Sequence, residues 1–118
     1  MKIAVASQNR KAITGHAGKC RRFWIYEIEN SAVKDKTLLE LPRDQSFHAY
    51  QGSAPHPLQG VAILITGGMG EGLVRRLAIM GVEAIVTPET DPDQAIAAWL
   101  QGTLERGQRE DHASHGAH

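Results

Sequence analysis

The chain has 118 residues, 42% hydrophobic and 22% charged, with 13 Lys and Arg balancing 13 Asp and Glu. That length suits one domain with its own core, at ~100–200 residues per domain, and zero net charge argues against a general nucleic-acid binder. No apolar stretch approaches the ~20 residues of a membrane span, Met1-Lys2-Ile3 opens no signal-peptide pattern, and the single Cys20 excludes an internal disulfide and suits a reducing cytoplasm.

Lys2–Ser7 (KIAVAS) reads as a first strand with small residues, Ala4 and Ala6, on one face. Gln8–Lys19 is a loop by composition. Arg22–Glu29 (RFWIYEIE) is the strongest strand signal, with Phe23, Ile25 and Glu27 on one face and Trp24, Tyr26 and Ile28 on the other. Glu29-Asn30-Ser31 is a turn, so Ala32–Leu41 returns as an antiparallel third strand. Arg43–Gly60 is unpatterned; Gly52, Pro55 and Pro57 exclude a long helix, and an irregular crossover is expected there.

Val61–Thr87 is the organising stretch. Val61–Ile65 is apolar at every position, as in a strand buried on both faces. The turn Gly67-Gly68-Met69-Gly70 follows. Leu73, Val74, Leu77, Ala78 and Met80 then form a helical stripe over Glu71–Met80, with Gly81 as its stop. Val82–Thr87 is a second apolar strand, which makes this a βαβ unit with parallel strands. Asp91-Pro92-Asp93-Gln94 starts a last helix, Pro92–Gln101, with Ile96, Trp99 and Leu100 on its buried face and Gly102 at its end. Residues 1–104 form the domain. Residues 105–118 are expected to be a flexible tail carrying His112, His115 and His118, a solvated segment or an adventitious copper or nickel binder.

These elements predict an α/β fold: a mixed five-stranded sheet of order 3-2-1-4-5 with flanking helices. Strand 1 is central because it must bridge the antiparallel and parallel halves.

For chemistry, His16 and Cys20 stand four residues apart in one loop. Both are good ligands for copper, iron or zinc, though two residues do not complete a zinc site. The same pair admits a thiol nucleophile or no special role. Met69 is a soft thioether in the glycine turn, or a packing residue. His48 and His56 read as surface loop residues. No GxSxG or HExxH occurs and the first strand lacks carboxylates, so a binding protein is favoured over an enzyme.

Charge is uneven: residues 1–59 hold nine Lys and Arg against five Asp and Glu, and residues 60–118 hold four against eight. The positive excess concentrates in Arg10, Lys11, Lys19, Arg21 and Arg22, either a solvated loop or a basic rim facing an anion.

Several motifs, in order, resemble the dinitrogenase iron–molybdenum cofactor biosynthesis family. They are Met1–Ser7, His16-Ala17-Gly18, Phe23–Ile28, Gly67–Gly70, Gly81-Val82-Glu83 and Leu100–Gly102. The family's loop is usually His-Phe-Gly, and Ala17 stands here in place of the aromatic. The resemblance implies a ribonuclease H-like topology without that enzyme's acidic residues. It also implies binding or carriage of a preformed metal–sulfur cluster, of molybdenum–copper sulfide or iron–molybdenum type. The alternative is a regulatory or scaffold module that docks on a partner ATPase. A thiometallate site would combine the Gly67, Gly68, Met69 and Gly70 turn with Arg10, Lys11, His16, Lys19, Cys20 and Arg21. Residues His16 and Cys20 are its candidate metal ligands. Holding is expected to be non-covalent and mainly electrostatic, each exposed charge contributing ~1 kcal/mol or less, with the crossover around His48–His56 as a lid.

Overall fold

The computed structural model describes residues 1–42, 58 and 60–107. The expectations for the rest of the Arg43–Gly60 crossover, including the lid at His48–His56, and for the tail histidines lie outside the described residues. The strands are β1 (Lys2–Ala6), β2 (Arg22–Glu29), β3 (Ala32–Glu40), β4 (Ile63–Thr66) and β5 (Glu83–Val86). The helices are α1 (Glu71–Ile79) and α2 (Pro92–Gln101).

The sheet order is β3-β2-β1-β4-β5. β1 pairs antiparallel with β2 and parallel with β4, and β4 pairs parallel with β5. β1 is therefore the bridge between the two halves, as expected. Residues 3–6 of β1 are wholly buried. Its alternation divides the core. Ala4 and Ala6 pack with Phe23, Leu64 and Leu77 on the α1 face. Ile3 and Val5 pack with Tyr26, Ile65, Ile85 and Ile96 on the α2 face.

The β2–β3 hairpin turns in two residues, Asn30 and Ser31, both at positive φ (54° and 61°). Two such residues give the turn the twist that hairpin strands need. α2 starts as its sequence predicts: the Asp91 carboxylate accepts from Asp93 N–H at 2.9 Å and Gln94 N–H at 3.2 Å, beside Pro92. Beyond Gly102 the chain runs along β5 as far as Gly107, whose N–H donates to the Val86 carbonyl at 2.6 Å.

Several element ends fall one residue short of the sequence pattern, β1 at Ala6, β3 at Glu40, β5 at Val86 and α1 at Ile79, and three other details differ from it. β4 begins at Ile63, because Gly60 sits at φ 99° and Val61 N–H turns back to the Leu58 carbonyl. β5 begins at Glu83, because Val82 N–H closes α1 on the Leu77 carbonyl after Gly81 at φ 81°. Ala78 is exposed rather than part of the stripe; Leu77 is buried, with Leu73, Val74 and Met80 packed beside it.

A polar cluster fastens the hairpin to α2. The Tyr26 hydroxyl donates to Asp93 Oδ1 at 2.7 Å, and Lys36 Nζ donates to the same oxygen at 2.9 Å. The Lys36 ammonium also lies 4.3 Å from the centre of the Trp24 ring. The Tyr26 hydrogen bond, then that of Lys36, lowers the Asp93 carboxyl below its ordinary value. Burial, then Asp93, pushes the Tyr26 phenol up. Tyr26→Phe should cost about 1 kcal/mol at neutral pH, the net value of one hydrogen bond. A carboxyl with lowered pKa stabilises the fold above its unfolded value, and that contribution is lost as pH falls through the folded value. The gap between the two proteins should therefore narrow below about pH 4. Urea unfolding of both proteins across that range checks it.

Candidate functional site

The site forms where β1 and β4, parallel neighbours, end at the same edge. That carboxyl edge is where open α/β sheets hold ligands. After β1 the chain makes a compact turn. The Ser7 hydroxyl donates to the Ala12 carbonyl at 2.8 Å. Asn9 Oδ1 accepts from Lys11 N–H and Ala12 N–H, each at 2.8 Å. Arg10 takes φ 67°, and its carbonyl accepts the Trp24 indole N–H at 3.2 Å. The loop then returns to the sheet: Thr14 N–H donates to the Ala6 carbonyl at 2.7 Å.

The returning loop is joined to the turn after β4. The Thr14 carbonyl accepts from Gly67 N–H at 2.8 Å and from the Thr66 hydroxyl at 2.9 Å. Ala17 N–H donates to the Gly68 carbonyl at 3.1 Å. A 3-10 turn over Ala17–Lys19 follows, closed by Cys20 N–H on the Ala17 carbonyl at 3.2 Å. Glycine at 67 suits this close join, since a Cβ there would lie a tight 3.1 Å from the Thr14 carbonyl oxygen and 3.3 Å from Gly15 Cα.

Between loop and turn lies a cavity of about 480 Å³, within the ~300–1,000 Å³ usual for small-ligand sites. Its walls are Gln8, Thr14, His16, Ala17, Gly18 and Cys20 from the loop, with Met69 and Gly70 from the turn. Of the residues expected at the site, His16, Cys20, Met69 and Gly70 are thus brought together. Gly67 and Gly68 hold the join rather than the wall, and the Gly67 N–H is already engaged by Thr14. The N–H groups of Met69 and Gly70 have no hydrogen-bond acceptor among the described residues.

Arg10, Lys11 and Arg21 do not line the cavity. Arg10 and Lys11 are exposed on the Asn9 turn. Arg21 is half-buried, its N–H donating to Gln8 Oε1 at 2.8 Å. The side chain of Lys19 lies outside the described residues.

Cys20 is 2% exposed. Its Sγ donates to the Arg22 carbonyl at 3.0 Å and lies 3.9 Å from Thr14 Oγ1. Burial pushes its thiol up, outweighing the hydrogen bonds that lower it. Cys20 is therefore a neutral thiol near pH 7, whereas the thiolate is the metal ligand and nucleophile. Among the described residues no three of His, Cys, Asp and Glu gather as a metal site.

Gln8 and Thr14 were not singled out in the sequence. A faint signal existed for Gln8: it stands just past the carboxyl end of the central strand. Thr14 offered none, since its place depends on the loop folding back to Ala6.

The dinitrogenase iron-molybdenum cofactor profile matches residues 1–102. The chain belongs to that family. A relative from Methanocaldococcus jannaschii, the uncharacterized protein MJ0580, is 28% identical over 108 residues, which cover 90% of this chain and 91% of the relative. The crystal structure of PH0822 superposes with a TM-score of 0.75 at 22% identity, covering 91% and 96% of the two chains. A candidate dinitrogenase of M. jannaschii, MJ0327, superposes at 0.70 with 18% identity over 92% and 95%. A candidate NifB protein from Thermotoga, TM1290, does so at 0.66 with 22% identity over 92% and 97%. These structures share the family fold. No helix among the described residues is long and apolar enough to cross a membrane.

Two outcomes are expected from this geometry. Gly67→Ala should force the Thr14–Gly15 segment outward and cost about 1–3 kcal/mol, as overpacking does; the urea midpoint measures it. Alkylation of Cys20 by iodoacetamide at pH 7 should be at least about tenfold slower in the native protein than in urea, since burial withholds both access and the thiolate. Thiol-labelling mass spectra read both rates.

Proposed function

We propose that the protein binds and carries a preformed anionic metal–sulfide cluster, without covalent attachment, in the cavity between the 8–20 loop and the Gly67–Gly70 turn. The cavity itself carries the reading. It places two sulfur atoms, Met69 and Cys20, beside small apolar walls and main-chain N–H groups that meet no acceptor among the described residues, at the carboxyl edge of the sheet. Soft atoms suit a sulfide surface, and N–H donors before a helix suit negative charge. Membership of the iron–molybdenum cofactor family supports the same cargo class.

The cluster is of molybdenum–copper or iron–molybdenum type. The small, cysteine-poor chain is similar in this respect to the orange protein of sulfate-reducing bacteria, which holds a molybdenum–copper sulfide cluster. Its work is binding rather than catalysis. The buried thiol supports a reducing location, and we place the protein in the cytoplasm.

The burial and hydrogen bonding of the Cys20 thiol support non-covalent holding. Ligation would require losing both its proton and its hydrogen bond to Arg22. Titration of the apo-protein with tetrathiomolybdate and copper(I), followed by gel filtration and visible absorption, should give a coloured complex. Cys20→Ser, which keeps a donor for the Arg22 carbonyl, should bind within about threefold of wild type, less than about 1 kcal/mol. Loss of uptake in Cys20→Ser alone would replace this reading with direct thiolate ligation.

A further inference from the structure

Two neutral side chains at the cavity have hydrogen-bond donors left over. The main chain sets the orientation of the Gln8 carboxamide: its Oε1 accepts the Arg21 N–H at 2.8 Å. Only the oxygen can meet an N–H, so the amide nitrogen with its two N–H groups is the end left unengaged. Among the described residues nothing accepts from it. Thr14 Oγ1 is an acceptor, taking the Gln8 main-chain N–H at 2.6 Å with the Cys20 thiol 3.9 Å away. Among the described residues its own hydroxyl proton meets no oxygen or nitrogen acceptor, only the weakly accepting Cys20 sulfur at 3.9 Å. Both residues are half-buried and both line the cavity.

The leftover capacity of these two side chains is therefore donating. Such a wall matches a ligand that only accepts, and it penalises one that brings its own protons, since two donors facing each other stay unpaired. Among the described residues the lining contains no Lys, Arg, Asp or Glu. Hydrogen bonds from neutral groups are what Gln8 and Thr14 offer.

We propose that the Gln8 carboxamide and the Thr14 hydroxyl donate directly to the bound anion and select it as an acceptor-only species. This rests on the cavity being the cluster site. The two residues form one unit, because the Gln8 main chain holds the Thr14 hydroxyl that stands beside the Gln8 side chain.

The test is equilibrium dialysis of the full chain against tetrathiomolybdate, with fold integrity read from the urea midpoint. Gln8→Glu keeps an acceptor for the Arg21 N–H but replaces the donor with a charged acceptor. It should weaken binding at least about tenfold. Gln94→Glu makes the same charge change at the start of α2, away from the cavity, and should bind as wild type. Thr14→Val should weaken binding by a similar factor, and Thr14→Ser should restore it. If Thr14→Val does not fold, the Gln8→Glu and Gln94→Glu pair decides. Folded Gln8→Glu and Thr14→Val proteins that bind like wild type would overturn the proposal and leave the cluster site standing. Equal weakening by Gln94→Glu would also overturn it, by making net charge the cause. A wild-type protein that takes up no thiometallate, with or without copper(I), sinks the cluster reading and this proposal with it.

Discussion

The Thr14 carbonyl holds the functional edge together. It accepts from Gly67 N–H and from the Thr66 hydroxyl, so one oxygen joins the loop after β1 to the turn after β4. Those segments are about fifty residues apart in sequence and meet only because β1 and β4 are parallel neighbours. The join leaves little room for a Cβ at position 67. It also divides labour within Thr14. The main chain is occupied by structure, through Ala6, Thr66 and Gly67, while the hydroxyl stays at the cavity. The turn is similarly divided: Gly67 secures the loop, and the N–H groups of Met69 and Gly70 have no acceptor among the described residues.

Most of the fold was legible because each element announces itself locally. The unalternating run at Ile63–Ile65 marks a strand buried on both faces, and Asp91-Pro92 marks a helix start that the Asp91 carboxylate then caps. The order of the strands followed from a constraint rather than a motif: one strand must pair both ways, and Lys2–Ala6 is that strand. The errors fall at the ends of elements, where main-chain closure outweighs hydrophobic pattern. Val82 is apolar and 3% exposed, yet its N–H finishes α1 instead of extending β5.

The site was legible only in part, and the division has a physical basis. His16, Cys20 and Met69 draw notice by their chemistry, and the parallel strands bring them to one cavity. Gln8 and Thr14 carry ordinary amide and hydroxyl groups. Their interest lies in which atoms the main chain has already engaged, and no sequence pattern reveals that. The basic residues mislead in the opposite sense. Arg22 pairs with Glu40 at 3.2 Å and donates to the Gln8 carbonyl at 3.0 Å, while the main chain at Arg10 serves Trp24. A cluster of positive letters in the sequence becomes, in the fold, partly a set of braces for the loop.

This arrangement separates two contributions that a count of charges would merge. In the proposed role, exposed basic residues such as Arg10 and Lys11 would act on an anion from outside the cavity, through water. Their attraction is screened over about 10 Å at 0.1 M salt. It acts on encounter and on the surrounding potential more than on the seated ligand. Gln8 and Thr14 would act at contact distance as neutral donors, whose hydrogen bonds depend on direction far more than on ionic strength. Each is worth little alone, about 1 kcal/mol net, so tight holding needs several to converge in a fixed geometry. The hydrogen bonds from Arg21 to Gln8, from Gln8 to Thr14 and from Gly67 to Thr14 supply that fixity. A carrier must also release what it holds. In the proposed role, neutral donors and a protonated thiol leave no covalent bond to break and no buried ion to strand when the cargo departs. The same features that make Gln8 and Thr14 inconspicuous in the sequence therefore suit them to reversible carriage.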